Sequence, residues 1–534
     1  MAVFDYRFPY PSQRSPVMGR RGAVATSHPL AAQVGLRVLQ EGGNAIDAAV
    51  ATAAALAVLE PTGNGIGGDA FALVWDGQRL HGLNASGRAP RALTPAVFAR
   101  QGLAEVPKDG WLPVTVPGAV SAWVALTRRF GSMPLARLLE PAARYAEEGH
   151  PIPPVIAGYW RAAAQRFAQR DDWRQTFLPW GRPPEPGELF ACPDQARTLR
   201  LIGESDGEAF YRGELARAMA RYAEQTGGFL TEEDLAAHQP EWVSPIRTTY
   251  RGFDVWEIPP NGQGLVALLA LNILEDTELP SLPHLSAAQL HLIIEALKLA
   301  FADARRYIAD PSAAPVPTAA LLSKAYAAER RTLIARDAAL AEAAPGVPRD
   351  GDTVYLCTAD SQGRMVSYIQ SNYMGFGSGV VVPGTGIALH NRGAGFTLEE
   401  GHPNQVAPGK RPYHTIIPAF LSRNGVPLAA FGVMGGDMQP QGHVQVVIGI
   451  VDYALNPQAA LDAPRVRVAG GADVHVEAAL PADTVRQLLR LGHRVRMEAD
   501  GGLFGGGQMI WRDPDTGAYI AGSEPRKDGQ AVAW

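Results

Sequence analysis

The sequence predicts an α+β fold, and three observations predict it. An Ala-rich apolar run over 43–59 reads as one long buried helix. Segments of helical spacing then dominate to about residue 308. After a stretch of Pro, Gly and charge at 337–352 the pattern changes to alternating strand runs. The chain therefore divides into a helix-rich first two-thirds, an exposed loop and a β-rich last third.

The elements follow in order. In GNAIDAAVATAAALAVL (43–59), Asn44 is placed to cap the helix and Pro61 to end it. FALVWDGQRLHGLNA alternates as a hairpin that turns at Asp76-Gly77. Helices fill most of 118–225, including GAVSAWVALTRRFG and PAARYAEEG. PIRTTYRGFDVWEIP gives two strands about Arg251-Gly252, and 264–275 and 286–308 are helical again. Past the loop, TVYLCTAD and MVSYIQS form a hairpin joined by SQGR. GIALHN, TIIPAFLS, PLAAFGVM and VRVAGGADVHVEA are further strands, and PADTVRQLLRLG is a helix closed by Gly492. No repeat of 20–50 residues is present.

Composition excludes several classes. The 534 residues are 46% hydrophobic, enough for a large core. Lys and Arg number 48 and Asp and Glu 53, a net charge of −5 without basic runs, which argues against nucleic acid as a partner. The 57 Gly and 43 Pro show no fibrous period and point to turns. Cys192 and Cys357 make neither a disulfide framework nor a CxxC motif. The N-terminal segment has no apolar signal core, and the longest apolar stretch, Ala48–Leu59, is too short to span a bilayer. A cytoplasmic protein with no membrane partner is the expectation.

Two motifs are decoys. Gly63, Gly65 and Gly68 match G-x-G-x-x-G, but a helix precedes and a strand follows, the reverse of a dinucleotide site. A turn where backbones approach closely fits better. His291 and Glu295 lie one helical turn apart without further metal donors in the sequence nearby, and read as a helix-face pair.

The sharpest feature is Gly351-Asp352-Thr353-Val354-Tyr355. A threonine that opens a strand is ordinary by β-propensity. It also suits an N-terminal nucleophile. Cut before Thr353, the new α-amine, with pKa near 7.7–8.0, could serve as base for its own hydroxyl. Gly435-Gly436 in GVMGGDMQPQGH could supply two unobstructed N–H groups to an oxyanion.

Many ordered segments carry a resemblance from about residue 20 to the C-terminus. They include GGNAIDAAVATAAALAVLEP, GNGIGGDAF, VPGAVSAW, FADARRYIADP, DTVYLCTADSQGRMVSYIQSNYMGFGSGVVVPGTGIALHNRGAGF and KRPYHTIIPAF. The chain resembles the gamma-glutamyltransferase (gamma-glutamyltranspeptidase) family of N-terminal nucleophile hydrolases. It is most similar to the signal-less branch with oxamate amidohydrolase and glutathione hydrolases. Glutaryl- and cephalosporin-acylase-like members are neighbours.

The resemblance implies a four-layer αββα sandwich. It implies autocleavage between Asp352 and Thr353 into a large subunit, 1–352, and a small subunit, 353–534, interleaved in one domain. No cofactor or metal is implied. Thr353 resembles the nucleophile and Ser371 the second hydroxyl beside it. Gly435 and Gly436 match the oxyanion pair, and Arg88 the arginine that pairs with a substrate carboxylate. The partners implied are a small-molecule amide bearing a carboxylate and, in the assembly, a dimer of heterodimers.

Departures fall around the pocket. Gly395 stands where the family acid for a glutamyl α-amine stands, and Arg392 where a neutral amide is common. His414 and Thr415 replace two serines, and Asn372 and Asn391 complete the expected substrate-binding set. The implied reaction cleaves a γ-glutamyl compound such as glutathione, or a related acid amide such as oxamate, through an acyl-Thr353 intermediate. A non-catalytic, uncleaved binding protein is the competing class.

Overall fold

The computed structural model describes residues 14–341 and 352–534. Most of the loop expected at 337–352 lies outside them. Two seven-stranded sheets stack face to face. One runs, in spatial order, Gln530–Ala533, Gly22–Thr26, Asp352–Asp360, Met365–Tyr373, Asp69–Trp75, Leu80–Asn84 and Glu241–Val243. The other runs Val17–Gly19, Tyr519–Ser523, Gly506–Arg512, Val426–Met434, Ala419–Arg423, Phe253–Glu257 and Ile246–Tyr250. Strands from both sides of Thr353 lie side by side in each sheet.

The two-residue period of the strands builds the layers. In Asp352–Asp360, Val354 and Leu356 face outward into a core covered by helices, while Tyr355 and Cys357 face the second sheet. Val366 and Tyr368 against Met365 and Ile369 repeat that alternation in the next strand. Helices Pro29–Gln40, Ala45–Leu59, Ala119–Phe130 and Leu135–Glu148 cover the first sheet. Gly264–Leu274, Ala287–Tyr307 and Met438–Val451 cover the second. The result is the αββα sandwich. Among the described residues, no helix is long and apolar enough to cross a membrane.

The Ala45–Leu59 helix is buried along its whole length. Its alanines let it lie against the strands and neighbouring helices without large side chains to accommodate. Asn44 caps it, and Asp47 closes a reciprocal capping box. The hairpins at Asp76-Gly77, Arg251-Gly252 and SQGR are present as read. Two strand readings shrink. Only Ile387–Ala388 of GIALHN is a strand, and in TIIPAFLS the strand begins at Ala419. The β-rich last third also hides a helix, Met438–Val451, whose MQPQG start combines Pro and Gly, both poor helix formers.

Asp47 is fully buried and accepts from the Asn44 amide at 2.9 Å and from the Ser132 amide at 3.0 Å. An Asp47→Ala substitution strands these donors and is expected to cost about 3 kcal/mol of stability. Urea unfolding followed by circular dichroism measures it; a loss under about 0.5 kcal/mol contradicts the capping account.

Candidate active site

The Asp352–Asp360 strand pairs with Met365–Tyr373 through a register shift between Asp352 and Val354. Thr353 sits beside that shift. The register of Val354 with Gln370 and Tyr355 with Ile369, continued by one residue, sets Thr353 opposite Ser371, and the ladder is displaced at Asp352. Thr353 Oγ1 lies 3.1 Å from Ser371 Oγ. Ser371 Oγ in turn accepts from the Tyr373 amide at 2.8 Å, within a turn where Tyr373 has φ 75°.

The glycine turn of the decoy motif packs against this point. A Cβ on Gly63 would stand 3.3 Å from Thr353 O, and one on Gly68 would stand 2.6 Å from Ser371 O. The close-approach reading of that turn therefore has a direct target, the backbone of the candidate nucleophile. The turn is held by Gln370, whose Nε2 donates to Asn64 Oδ1 at 2.7 Å while its Oε1 accepts from Trp123 Nε1 at 3.0 Å.

Gly435 and Gly436 leave the Val426–Met434 strand with φ of 117° and 58°, conformations that favour glycine. Their carbonyls accept from the Met438 and Gln439 amides at 3.0 and 3.2 Å, and Gln263 Nε2 donates to Gly436 O at 2.9 Å. Gln439, on the first turn of the helix that follows, places Nε2 3.5 Å from Thr353 Oγ1. Through Gln439 the Gly-Gly turn and the threonine belong to one site.

The other expected site residues occupy several environments. Arg392 is buried, with its guanidinium 3.7 Å over the Tyr373 ring. Asn372 and Thr415 are buried, and neither side chain makes a hydrogen bond among the described residues. Asn391 is engaged at both ends, donating to Lys108 O at 2.8 Å and accepting from the Met374 amide at 3.1 Å. Arg88 faces Asp310 at 3.0 Å, Glu241 at 3.1 Å and Gly409 O at 3.1 Å. Arg411 shares those carboxylates, pairing with Glu241 at 2.7 Å. A Cβ at Gly395 would meet Tyr413 O at 2.6 Å, so a longer side chain does not fit without a backbone shift.

His414 belongs to a buried polar cluster that the sequence did not reveal, and Asp69 of that cluster pairs with Ser371 across the sheet. Its Nε2 lies 3.1 Å from Asp69 Oδ2, and its Nδ1 accepts from the Ile416 amide. Asp69 Oδ1 also accepts from the Gly87 and Gly118 amides, both at 3.1 Å. Burial alone would raise the Asp69 pKa, but His390, His414 and Arg392 bring it down to about 2. Burial and then the charge of Arg392 hold His414 at about 3. At neutral pH the pair is a carboxylate and a neutral imidazole that donates from Nε2.

Away from this site, His493 joins His291 and Glu295, and the helix-face reading missed it. His291 Nδ1 is 2.8 Å from His493 Nε2. Lys298 Nζ donates to Glu295 Oε1 at 2.7 Å and supplies an internal cation. The group also braces the chain after the long helices, with His291 Nε2 2.7 Å from Ala335 O.

The gamma-glutamyltranspeptidase family model matches residues 31–534. The chain is 36% identical to the glutathione hydrolase-like YwrD proenzyme of Bacillus subtilis (strain 168), over 97% of this chain and 99% of that protein. It is 34% identical to the oxamate amidohydrolase proenzyme of Klebsiella pneumoniae, over 96% and 98%. Among solved structures, cephalosporin acylase from Bacillus halodurans superposes with TM-score 0.95 at 54% identity, covering 100% of this chain and 99% of that one.

Acid stability follows from the buried imidazoles. His28, His414 and His443 are held at about 3, and His150 at about 4, chiefly by burial. In the unfolded chain each titrates near 6.5. A folded pKa below the unfolded one means full stability above 6.5 and progressive loss as pH falls from there toward 4–3. Each group contributes up to about 1.4 kcal/mol per pH unit in that window. Urea midpoints are expected to fall steeply between pH 7 and 5; equal midpoints contradict neutral burial.

Proposed function

This chain belongs to the gamma-glutamyltranspeptidase family, and on that premise we propose that it is a self-cleaving threonine amidohydrolase for acyl groups that carry a carboxylate but no α-amine. Like its proenzyme relatives, it matures from one precursor into two subunits, here by scission between Asp352 and Thr353. Thr353 Oγ1 adds to the carbonyl carbon of residue 352. The Oγ1 proton passes to the Thr353 nitrogen as the C–N bond breaks, leaving an ester and a free α-amine, and water hydrolyses the ester to the residue 352 carboxylate and the Thr353 hydroxyl.

In turnover that amine takes the Oγ1 proton as Oγ1 adds to the substrate amide carbon. The N–H groups of Gly435 and Gly436 receive the carbonyl electron pair as an oxyanion. Collapse breaks the C–N bond, and the departing amine takes the proton. Water repeats the addition on the acyl-Thr353 ester, and Oγ1 leaves with its proton restored. Ser371, 3.1 Å from Oγ1, orients the hydroxyl.

The observation that carries the substrate class is the 2.6 Å approach of a Cβ at Gly395 to Tyr413 O. The position of the amine-binding acid has room for hydrogen alone. With Arg392 in the same region, a substrate ammonium would be uncompensated, whereas a carboxylate would be attracted. We assign the substrate carboxylate to Arg392, which is buried in the same short segment as Gly395, whereas Arg88 lies at the side of Asp310 and Glu241. Asn372 and Thr415 offer buried polar atoms that a substrate can satisfy. The cephalosporin acylase and oxamate amidohydrolase likenesses support this class.

The competing substrate is a γ-glutamyl compound such as glutathione, suggested by the YwrD relative's name. Glutaryl-p-nitroanilide and γ-glutamyl-p-nitroanilide differ only in the α-amine. The glutaryl compound is expected to show kcat/KM about 10- to 100-fold higher, with Arg392→Gln raising its KM. A preference for the γ-glutamyl compound overturns the assignment.

A further inference from the structure

Gln439 has no part in the family-derived site, yet its side chain reaches the nucleophile. It is fully buried on the first turn of the Met438–Val451 helix. Its Oε1 accepts from the Ile417 amide at 2.9 Å. That bond settles the orientation of the carboxamide, since an N–H requires an acceptor and only the oxygen end provides one. The NH₂ end must then be the group 3.5 Å from Thr353 Oγ1. Its backbone amide meanwhile donates to Gly436 O at 3.2 Å. One residue therefore links the Ile417 segment, the glycine pair and the reacting hydroxyl.

We propose that Gln439 is a catalytic residue whose amide donates to Thr353 Oγ1, favouring the states in which that oxygen carries negative charge. The proposal rests on the reading of Thr353 as nucleophile. Oγ1 gains such charge twice. In the attack the Oγ1–H bond breaks toward the α-amine while the Oγ1–C bond forms. In deacylation the C–Oγ1 bond breaks and its electron pair returns to Oγ1 before the proton does. A donor 3.5 Å away in the resting site closes on the oxygen as charge develops, because hydrogen bonds to ionised acceptors are shorter and stronger. The precursor's own scission uses the same oxygen and should depend on the same donor.

A brace that merely holds Ile417 is the structural alternative, and two substitutions separate them. Gln439→Met removes both bonds. Gln439→Glu keeps an acceptor for the Ile417 amide and, at pH 8, removes the donor. Both are expected to slow precursor scission and to lower kcat on glutaryl-p-nitroanilide by about 10- to 100-fold, with KM within twofold. Wild-type rates for Gln439→Glu overturn the proposal, whatever Gln439→Met does, and decide the matter even if the Met variant fails to fold. Failure of the Thr353 reading itself looks different: the unsubstituted chain would then neither cleave nor release p-nitroaniline.

Discussion

The pairing that sets Thr353 opposite Ser371, the register of Val354 with Gln370 and Tyr355 with Ile369 carried on by one residue, is the constraint on which the site depends. A regular ladder through Asp352–Asp360 would assign Thr353 to one face by strict alternation, and Val354 and Leu356 already face the helical layer. That rule sets Thr353 on the inter-sheet side with Tyr355 and Cys357, its hydroxyl 3.1 Å from Ser371, and the shift falls just beyond it, at Asp352. The surrounding contacts hold that pair in the middle of a sheet. The glycine turn presses on the Thr353 backbone, Gln370 and Trp123 hold the turn, and the Tyr373 amide fixes Ser371. Stable sheets on both sides of the junction explain how a cut chain can remain one compact body.

A second theme is charge. The pocket region combines a buried Arg392 with Gly395 pressed against the Tyr413 carbonyl. Low dielectric makes a buried cation influential and an unpaired ammonium beside it costly. The Asp69–His414 pair is a different use of buried polarity. Asp69 gathers two backbone amides and an imidazole from segments far apart in the chain, and so ties the Gly87, Gly118 and His414 regions together. Arg392 acts on both members of that pair, so the two sets of charges are coupled.

Much of the fold was legible because local signals were strong. The alanine helix, its Asn44 cap and three hairpin turns are written in contiguous residues. Thr353, Ser371 and the Gly435-Gly436 pair stand in distinctive motifs, and the fold brings them near one another. What stayed hidden was relational. Nothing in KRPYHT announces that His414 meets Asp69, 345 positions away. Gln439 lay inside a quoted motif, but its target became visible only when the helix start was folded against Ile417 and Thr353. The Met438–Val451 helix was masked by its own Pro and Gly, which tertiary packing overrode. The small side chain at Gly395 was visible, whereas its steric cause, the Tyr413 carbonyl, was not.

The central claim is that the Asp352–Thr353 bond is the boundary between two working chains. Intact mass combined with N-terminal sequencing of the purified protein tests it most directly. The account predicts two fragments from the 57.0 kDa chain, the smaller beginning at Thr353, and a single uncut chain when Thr353→Ala removes the hydroxyl. A single 57.0 kDa species that persists on prolonged incubation, or a small fragment that begins at another residue, would contradict it.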